Sequence, residues 1–308
     1  MGVNYLAAVS DNLSNDRLAL IAFKNEITQD PLGILNSWND KNTSLHFCKW
    51  RGNWSSSRLR RLGLLNNSLE GVIPHNISRC SNLIHLNISG NNLGGSIPNE
   101  LGNLSKLKIL RLYDNNISGE IPASLGNLSY LTHLDLGGNN LWGRISNTIS
   151  QLKSLQILGL DSNRLSGIIP SSLYNISSLE GIALGDNRLQ SSIPSYIGFT
   201  LPNLMFFDVG INNFTGTIPS SFSNASKLET LQLGTNNFVG SVPYNLGNLK
   251  NLDILQLGEN NLGSGQADDL NFVNSLVNCT YLRWLIASWN NFGGVLPSSI
   301  SNLTTNLV

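Results

Sequence analysis

Histidine is the residue of this chain best suited to metal binding or acid–base chemistry, and four histidines are present. His85 and His133 hold equivalent places, two copies apart, in a pattern that recurs along the chain. If the copies stack like strands, about 10 Å separates the two backbones, whereas a metal ion needs each imidazole about 2 Å away. We therefore expect no metal site.

Phosphate and cofactor chemistry finds equally little support. Residues 263–268 read GSGQAD, which begins like a dinucleotide-binding fingerprint but lacks its third glycine and a surrounding βαβ unit. Neither a Gly-rich loop ending in Lys-Ser/Thr nor the signature set of a protein kinase occurs in the sequence. The sequence predicts no catalytic residues and no cofactor, so we expect that this chain is not itself an enzyme.

The overall charge narrows the range of partners. Nineteen Lys and Arg balance nineteen Asp and Glu, and charged residues make up only 12% of the chain. Nucleic acid and anionic membranes attract cationic surfaces, so this balance disfavours both as the main partner. The hydrophobic content of 41% permits a large core, yet apolar runs such as residues 18–23 are far shorter than the roughly 20 residues of a membrane span. Membrane attachment is expected only through a segment absent from this chain.

A repeat with the pattern LxxLxLxxNxLxGxIP runs from Leu59 to the end of the chain. We number its copies as repeats 1 to 10, and the residues of LxxLxLxx as positions 1 to 8. The asparagine recurs every 24 residues, apart from one spacing of 25 and a last one of 30. This period is typical of leucine-rich repeats. The ten asparagines are Asn67, Asn91, Asn115, Asn139, Asn163, Asn187, Asn212, Asn236, Asn260 and Asn290.

The spacing inside one repeat predicts its local structure. Leucines at positions 4 and 6 point to the same side of a short strand, which must face the core. The asparagine stands where the chain leaves the strand, and its amide can bond open backbone groups of neighbouring turns. Because no copy can bury its own leucines, the copies must stack about 4.8 Å apart. We predict an α/β fold: a right-handed leucine-rich-repeat solenoid with a parallel β-sheet on the concave face, and loops and 3-10 turns on the convex face.

A helical cap is predicted to cover the first edge of the sheet. Asp16 is a candidate N-cap for a helix on which Leu20, Phe23 and Ile27 share one face, and Asp30-Pro31 ends that helix. The segment resembles the amino-terminal cap of plant leucine-rich-repeat receptor-like serine/threonine kinases, which reads DxxALLxFK, DPxGxLxSW and then CxWxGxxC. The matching residues are Asp16, Ala19, Leu20, Phe23, Lys24, Asp30, Pro31, Gly33, Leu35, Ser37, Trp38, Cys48, Trp50 and Gly52.

The resemblance covers residues 16–308, since the GxIP and LGNL elements are typical of the plant-specific class of extracellular repeats. The long repeat around residues 265–280 is similar to one in the receptor-kinase subgroup that includes the receptor for bacterial elongation factor Tu. On this basis residues 1–15 are interpreted as a disordered or residual leader and 16–56 as the cap. Residues 57–308 then form about ten plant-type repeats of 24 residues, truncated at the C-terminus.

The cysteines depart from the family pattern. The family's cap pairs two cysteines, but Ser55 stands where the second is expected, so Cys48 lacks that partner. Cys80 and Cys279 precede repeats 2 and 10, and eight stacked copies separate them by roughly 40 Å, whereas a disulfide needs Cα atoms within about 7 Å. We expect both to be small buried packing residues. A bond between Cys48 and Cys80 is geometrically conceivable.

Positions 3, 5, 7 and 8 point away from the core and map the surface on which a partner could dock. Aromatic rings on rigid strands are favourable anchors, and acidic positions could pair with a basic ligand, while glycines at position 7 leave gaps between them. The alternative that Asp and Gly near the strand end serve the turn stays open. The candidate ligand-binding residues are Arg111, Tyr113, Asp114, His133, Asp135, Asp161, Phe206, Asp208, Ile211, Gln232, Gln256, Glu259, Trp284 and Trp289.

Sequons for N-glycosylation are frequent, although a chain rich in Asn and Ser produces many of them by chance. Five share one repeat position on the predicted convex face, where a glycan would leave the concave face open. The candidate glycosylation sites are these five, Asn103, Asn127, Asn175, Asn224 and Asn302, together with Asn76. Asn87 differs, because its glycan would project from the concave face.

The resemblance implies the extracellular ligand-recognition portion of a plant receptor kinase at the plasma membrane, in immune or developmental signalling. Its implied partners are a peptide or protein ligand and a co-receptor with leucine-rich repeats, and any kinase domain would lie beyond residue 308. Two alternatives remain. One is a soluble inhibitor of cell-wall-degrading enzymes, which would need a complete C-terminal cap. The other is a truncated, inactive receptor fragment, suggested by the missing secretory signal and second cap cysteine.

Overall fold

The structure is a computed structural model that describes residues 20–31, 33, 35–36 and 59–303. The chain divides into two compact units, Met1–Leu155 and Gln156–Val308, and each consists of stacked repeats. The predicted solenoid of short parallel strands and 3-10 turns is confirmed. The predicted leader and the cap residues Asp16, Trp38, Cys48 and Ser55 lie outside the described residues.

In the first unit, repeats 1 to 4 each contribute a three-residue strand to a parallel sheet. The position-4 leucines lie side by side across the strands, so that Leu86 is in register with both Leu62 and Leu110. These leucines are at most 1% exposed, which places the core on one side of the sheet. The strands are β2 (Arg61–Gly63), β4 (His85–Asn87), β6 (Ile109–Arg111) and β8 (His133–Asp135).

The second unit repeats this arrangement with repeats 5 to 10. Its strands pair in parallel and in register, and Phe207 takes the place of leucine in the core of repeat 7. The ring of Phe207 packs edge to face on Phe222, with centroids 5.4 Å apart, and thereby fills the larger volume. The strands are β10 (Ile157–Gly159), β12 (Gly181–Ala183), β14 (Phe206–Asp208), β16 (Thr230–Gln232), β18 (Ile254–Gln256) and β20 (Trp284–Ile286).

A second set of strands follows the asparagine of most repeats, which the sequence analysis did not predict. These strands cover the NxLxG segment, where the buried residue is Leu93 in repeat 2 and Phe238 in repeat 8. In the first unit they are β3 (Glu70–Val72), β5 (Asn92–Gly94), β7 (Ser118–Gly119) and β9 (Asn140–Gly143). In the second unit they are β11 (Arg164–Gly167), β13 (Arg188–Leu189), β15 (Thr215–Gly216), β17 (Asn237–Gly240) and β19 (Asn261–Leu262).

Most return segments form 3-10 helices, as predicted, and a proline precedes each of these helices except Asn147–Gln151, which follows Ser146. Pro98 precedes one such helix with an extended backbone, and the N–H of Leu104 closes it on the carbonyl of Leu101 at 3.1 Å. The 3-10 helices are His75–Arg79, Asn99–Asn103, Ala123–Asn127 and Asn147–Gln151 in the first unit, and Ser171–Asn175, Ser220–Asn224, Tyr244–Asn248 and Ser298–Asn302 in the second.

The pattern's asparagines are bonded as predicted. The Nδ2 of Asn91 donates to the carbonyls of Ile88 and Ser89 in its own repeat and to that of Leu64 in the preceding one, at 2.9 to 3.1 Å. Its Oδ1 accepts the N–H of Leu69, also in the preceding repeat, at 3.1 Å. The same bonds recur at Asn115 and Asn139 in the first unit and at Asn212, Asn236 and Asn260 in the second. Each asparagine therefore joins two successive repeats.

Where a repeat is longer than 24 residues, its return segment contains an α-helix instead of a 3-10 helix, which the sequence analysis did not predict. The 25-residue spacing accommodates α2 (Ile197–Thr200), and the 30-residue spacing accommodates α3 (Phe272–Leu276). The added loop before α3 is held by Asp269, whose carboxylate accepts hydrogen bonds from the N–H groups of Ser264, Gln266 and Gly293. These bonds lower the pKa of Asp269 below its usual range.

The cap differs from the prediction at its end. Residues 20–26 form helix α1, with Leu20 and Phe23 fully buried as expected. Ile27 does not continue the helix but begins strand β1 (Ile27–Gln29), which pairs antiparallel with β3. Gly71 of β3 has a φ of +114°, and a Cβ there would lie 1.9 Å from the carbonyl oxygen of Glu26. This close approach across the pairing overrides the helical spacing of Ile27.

The two described cysteines are buried, as expected of packing residues. Cys80 is 0% exposed and Cys279 3% exposed, and the Cys279 thiol lies 3.6 Å from the carbonyl oxygen of Leu246. In the described part of the chain, no helix combines the length and the apolar character needed to cross a membrane.

The asparagine bonds lead to a direct test at Asn236. We expect Asn236→Ala to leave buried carbonyl and N–H groups without partners and to lower the free energy of unfolding by about 2 to 4 kcal/mol. The matched control is Asn237→Ala, since the neighbouring Asn237 is exposed and should shift stability by less than about 0.5 kcal/mol. Urea unfolding followed by circular dichroism measures both changes. Equal effects of the two substitutions would contradict the structural role of the asparagine.

Candidate ligand-binding surface

Positions 3, 5, 7 and 8 of each repeat form a continuous surface within each unit, which we call the sheet face. All fourteen predicted ligand-binding residues lie on it. In the first unit, Arg111 of β6 is in register with Asp135 of β8. In the second unit, Asp208, Gln232 and Gln256 lie side by side on β14, β16 and β18. The structure thus brings the predicted residues together within each unit.

Large apolar side chains are exposed on the sheet face. The exposed fractions are 44% for Tyr113, 46% for Trp284, 55% for Ile211 and 83% for Trp289. These values show that the four side chains contribute little to the core, where the position-4 and position-6 residues are buried. Exposure of such large apolar groups to water is unfavourable, so their burial against a partner would stabilise a complex.

Position 8 carries a backbone constraint that the sequence analysis missed. Its residue has a positive φ in every repeat, whether glycine, as in Gly90 and Gly138, or another residue. Asp114, Glu259 and Trp289 have φ values of 55° to 57°, and β-branched Ile211 has a φ of 52°. Glycine, Asn and Asp tolerate this left-handed conformation, but a β-branched residue is strained in it. The glycines and Asn66 of the early repeats were the signal that could have revealed it.

An acidic depression occupies the sheet face of the second unit. It has a volume of about 220 Å³, and Asp161, Asp186 and Asp208 contribute three carboxylates to its lining. The remaining lining residues are Ser162, Gly185, Gly210, Ile211, Gln232, Gly234, Thr235 and Gln256. Five of the predicted residues therefore share one concavity, together with polar neighbours that the sequence analysis did not select.

The glycines at position 7 do not leave open gaps, contrary to expectation. A Cβ on Gly185 would lie 2.8 Å from the carboxylate of Asp208, and one on Gly234 would lie 2.6 Å from the amide carbon of Gln256. The position-5 side chain of one repeat therefore covers the position-7 glycine of the repeat before it. The same side chains bond their own turns, because the N–H of Gly210 donates to Asp208 at 2.8 Å and that of Gly258 to Gln256 at 2.6 Å.

Burial disfavours the charge on two carboxylates of the acidic depression. The pKa of Asp208 is raised to about 6, chiefly by desolvation and further by the charge of Asp161, while the hydrogen bond from Gly210 opposes the rise. The pKa of Asp161 is also raised, mainly by burial and in part by Asp186. Bringing a cation into the depression would relieve both effects.

A second concavity in the same unit involves residues that the sequence analysis overlooked. It has a volume of about 510 Å³ and is lined by Glu229, Asn251, Asp253, Thr280, Tyr281 and Arg283. Arg283 and Asp253 form a two-pronged ion pair in which Nε lies 2.6 Å from Oδ1. Opposite charges at position 2 of adjacent repeats, Asp253 in repeat 9 and Arg283 in repeat 10, were the available signal.

Other predicted features are placed as follows. Asn103, Asn127, Asn175, Asn224 and Asn302 are exposed and end their 3-10 helices, whereas Asn76 is the second residue of its helix and is half-buried. Asn87 lies on the sheet face, where its Oδ1 accepts the N–H of Ser89 at 3.1 Å. Among the described residues, no group of three His, Cys, Asp or Glu side chains is arranged to hold a metal ion.

Three family profiles match the sequence. The profile described as "Leucine-rich repeat region" matches residues 59–192, and "Leucine rich repeat N-terminal domain" matches residues 13–52. "Leucine Rich Repeat" matches residues 281–303. These profiles agree with the parallel sheet and the recurring asparagine bonds.

The chain belongs to the leucine-rich-repeat proteins.

Among curated relatives of this leucine-rich-repeat chain, the LRR receptor-like serine/threonine-protein kinase EFR of Arabidopsis thaliana is 44% identical over 46 residues, which are 15% of this chain and 4% of that relative. Among solved structures, the LRR ectodomain of the Arabidopsis thaliana receptor kinase GASSHO1/SCHENGEN3, in complex with CASPARIAN STRIP INTEGRITY FACTOR 2, is 34% identical with a TM-score of 0.86. That match covers 95% of this chain and 34% of the other.

The Arabidopsis receptor kinase HAESA, in complex with the peptide hormone IDA and the co-receptor SERK1, is 30% identical with a TM-score of 0.66. The match covers 93% of this chain and 55% of that chain. The leucine-rich-repeat chain therefore spans less than two thirds of the length of each of these relatives. Its similarity is to the repeat-containing ectodomains of plant receptor kinases.

The pKa of Asp208 predicts how stability depends on pH. Because its pKa of about 6 lies above the usual value of 3.8, the ionised carboxylate destabilises the fold above pH 6, and this cost disappears below about pH 4. We expect Asp208→Asn to stabilise the chain by roughly 2 to 3 kcal/mol at pH 8 and to have no effect near pH 3.5. Asp268→Asn makes the same chemical change at an exposed site and should give no such pH dependence. Urea unfolding across this pH range measures both variants. A gain in stability for Asp208→Asn that does not depend on pH would refute the raised pKa of Asp208.

The strain at Ile211 predicts a stabilising substitution. Ile211→Asn places a residue that tolerates a positive φ at this position, so we expect the free energy of unfolding to rise by about 1 kcal/mol. Ile168→Asn is the control, because Ile168 is 65% exposed but lies outside the left-handed region. Thermal unfolding measures both variants. A loss of stability in Ile211→Asn would show that packing of the isoleucine outweighs its backbone strain.

Proposed function

We propose that this chain is the ligand-recognition part of a plant cell-surface receptor kinase. It lies on the extracellular side of the plasma membrane and binds a peptide across the sheet face, in defence or developmental signalling. The observation that carries the proposal is the exposure of Trp284, Trp289 and Ile211 on the sheet face of the second unit, where the core does not use them. Trp284 lies on β20, and Ile211 and Trp289 lie in the turns that follow β14 and β20, so the backbone already holds these groups and little ordering is required on binding.

The acidic depression supplies the second element of recognition. Its carboxylates are partly desolvated, and a Lys or Arg side chain of a peptide would compensate their charge. In this mechanism the peptide lies extended across the strands, the aromatic rings anchor its apolar side chains, and Asp161 and Asp208 fix a basic one. The predicted residues Gln232, Gln256 and Glu259 border the same path and offer hydrogen bonds to it.

The solved relatives support a peptide ligand and a co-receptor. GASSHO1/SCHENGEN3 was solved in complex with CASPARIAN STRIP INTEGRITY FACTOR 2, and HAESA with a peptide hormone and SERK1. By the same arrangement this chain would recruit a leucine-rich-repeat co-receptor once the peptide is bound. The chain would then act by recognition, not catalysis, with the kinase supplied by another part of the receptor.

Glycans fit this proposal if they stay off the sheet face. Five of the six candidate asparagines are exposed at the ends of 3-10 helices, where carbohydrate would leave the strands accessible. Their occupancy, and that of Asn76, stays a prediction.

The proposal is tested by screening the purified 308-residue chain against a displayed library of random peptides. We expect selected peptides to lose at least tenfold in affinity for Trp284→Ala, the change typical of a buried aromatic anchor. Trp142→Ala is the matched control, because Trp142 is 52% exposed but lies on β9 instead of the sheet face. Its affinity should remain within about twofold of the unsubstituted chain.

Three outcomes would contradict the proposal. A chain that unfolds cooperatively but selects no peptide would support an inactive fragment. A chain that binds and inhibits a secreted cell-wall-degrading enzyme through the same face would support the soluble inhibitor. Loss of peptide affinity in both Trp variants would show that binding does not depend on the sheet face.

A further inference from the structure

The sheet face of the first unit carries cationic side chains where that of the second carries acids. Arg61 of β2 is in register with His85 of β4, and Arg111 of β6 is in register with Asn87 of β4. The backbones of Arg61 and Arg111 are separated by two strand spacings of about 4.8 Å and by two residues along the strand, which places them about 12 Å apart. Lys108 precedes β6 and lies at the margin of the same area. We call Arg61, Lys108 and Arg111, which surround His85, the cationic cluster.

The electrostatics of His85 show that these groups converge. The pKa of His85 is lowered, first by burial and then by the charges of Arg61, Lys108, Arg111 and His133, all of which act in the same direction. Strands β2, β4 and β6 contain no acidic residue. The carboxylates that face the cluster come from its far side, where Asp135 lies opposite Arg111 on β8 and Asp114 follows β6.

The three cationic side chains are accessible to solvent, and no ion pair among the described residues involves them. Arg61 and Lys108 are exposed and Arg111 is half-buried. Among the described residues, none of the three takes part in an ion pair, although Arg283 and Asp253 show that this chain can form one. An ordinary solvated surface mixes the two signs of charge, and a chain with equal numbers of acidic and basic residues could easily do so here. Asp135 and Asp114 border the cluster at Arg111, but the charges that act on His85 are all cationic, and this local excess of positive charge favours a negatively charged ligand.

We propose that the cationic cluster is an anion-binding site that receives acidic side chains of the peptide ligand. This inference rests on the proposed function, because it assigns a second chemical class of peptide contact, on the sheet face of the first unit. The guanidinium groups of Arg61 and Arg111 match carboxylate or sulfate oxygens in a two-pronged geometry, and Lys108 adds a point charge. Alternate side chains of an extended peptide are about 7 Å apart, so two acidic residues separated by one residue can reach both arginines.

The test uses labelled peptides and the complete 308-residue chain. One peptide series carries a Glu-x-Glu segment, a sulfotyrosine in place of the second Glu, or Gln at both places, in one common backbone. We expect both anionic peptides to bind at least tenfold more tightly than the Gln peptide, with affinity falling as salt rises. The relative affinities of the Glu and sulfotyrosine peptides then identify the preferred anion.

Paired variants locate the site. Arg61→Gln with Arg111→Gln should remove the tenfold preference for anionic peptides, whereas Arg79→Gln with Arg144→Gln removes the same charge from exposed sites off the sheet face and should leave it intact. Arg61→Glu with Arg111→Glu should reverse the preference toward a Lys-x-Lys peptide. If the paired Arg variants fail to fold by circular dichroism, Lys108→Gln is used, and it should weaken anionic peptides at least threefold.

The outcomes separate this inference from the proposed function. If library peptides bind in a Trp284-dependent manner but anionic groups bring no gain, the cationic cluster is not a binding site and the receptor function stands. If no peptide of any charge binds, the proposed function and this inference both fail. If an oligogalacturonate competes with the Glu-x-Glu peptide and depends more strongly on Arg61 and Arg111, the occupant is an acidic polysaccharide and the peptide assignment is wrong.

Discussion

The hydrogen bonds of the pattern's asparagine are the interaction on which the rest of each unit depends. The chain must leave a strand of only three residues and turn, and this exposes backbone carbonyls and an N–H inside the core that no strand partner satisfies. One side-chain amide forms hydrogen bonds with all of these groups. Asn236 donates to the carbonyls of Val209, Leu233 and Gly234 and accepts from the N–H of Phe214. Because two of these partners belong to the preceding repeat, the same bonds also fix how repeats stack.

The fixed stacking of the repeats determines which side chains of the sheet face overlap and become desolvated. With strands in register, the position-5 side chain of one repeat lies over the position-7 backbone of the repeat before it, and a Cβ at Gly185 or Gly234 would displace that side chain. Asp208 is consequently both a turn residue and a desolvated acid. Its role in the turn and its proposed role in binding are therefore compatible, because the turn holds the carboxylate in place.

The repeat pattern contains most of the fold, because a 24-residue period specifies strand, turn and return in every copy. The same pattern predicts less of the candidate binding surface. The strand that replaces helix at Ile27 depends on pairing with Gly71, which lies 44 residues away in sequence. Glycine at positions 90 and 138 suggests the left-handed backbone of position 8. Ile211, Glu259 and Trp289 give no such indication in the sequence, because they adopt a conformation that their side chains disfavour. The overlap of Asp208 on Gly185 depends on side-chain rotamers that no spacing rule supplies.

The net charge of the chain is a further case in which the sequence predicts little of the site. A sum of zero argues against polyanionic partners only if the charges are evenly mixed, and here Arg61, Lys108 and Arg111 lie close together in the first unit while Asp161, Asp186 and Asp208 share one depression in the second. In the second unit, burial and to a lesser extent the charge of Asp161 raise the pKa of Asp208, so its ionised carboxylate lowers the stability of the fold. A repeat architecture can carry that cost, because its stability comes from the asparagine bonds and the buried leucines, which are separate from the residues of the sheet face. The surface is thus free to hold unfavourable charge arrangements that only a ligand of complementary charge would relieve.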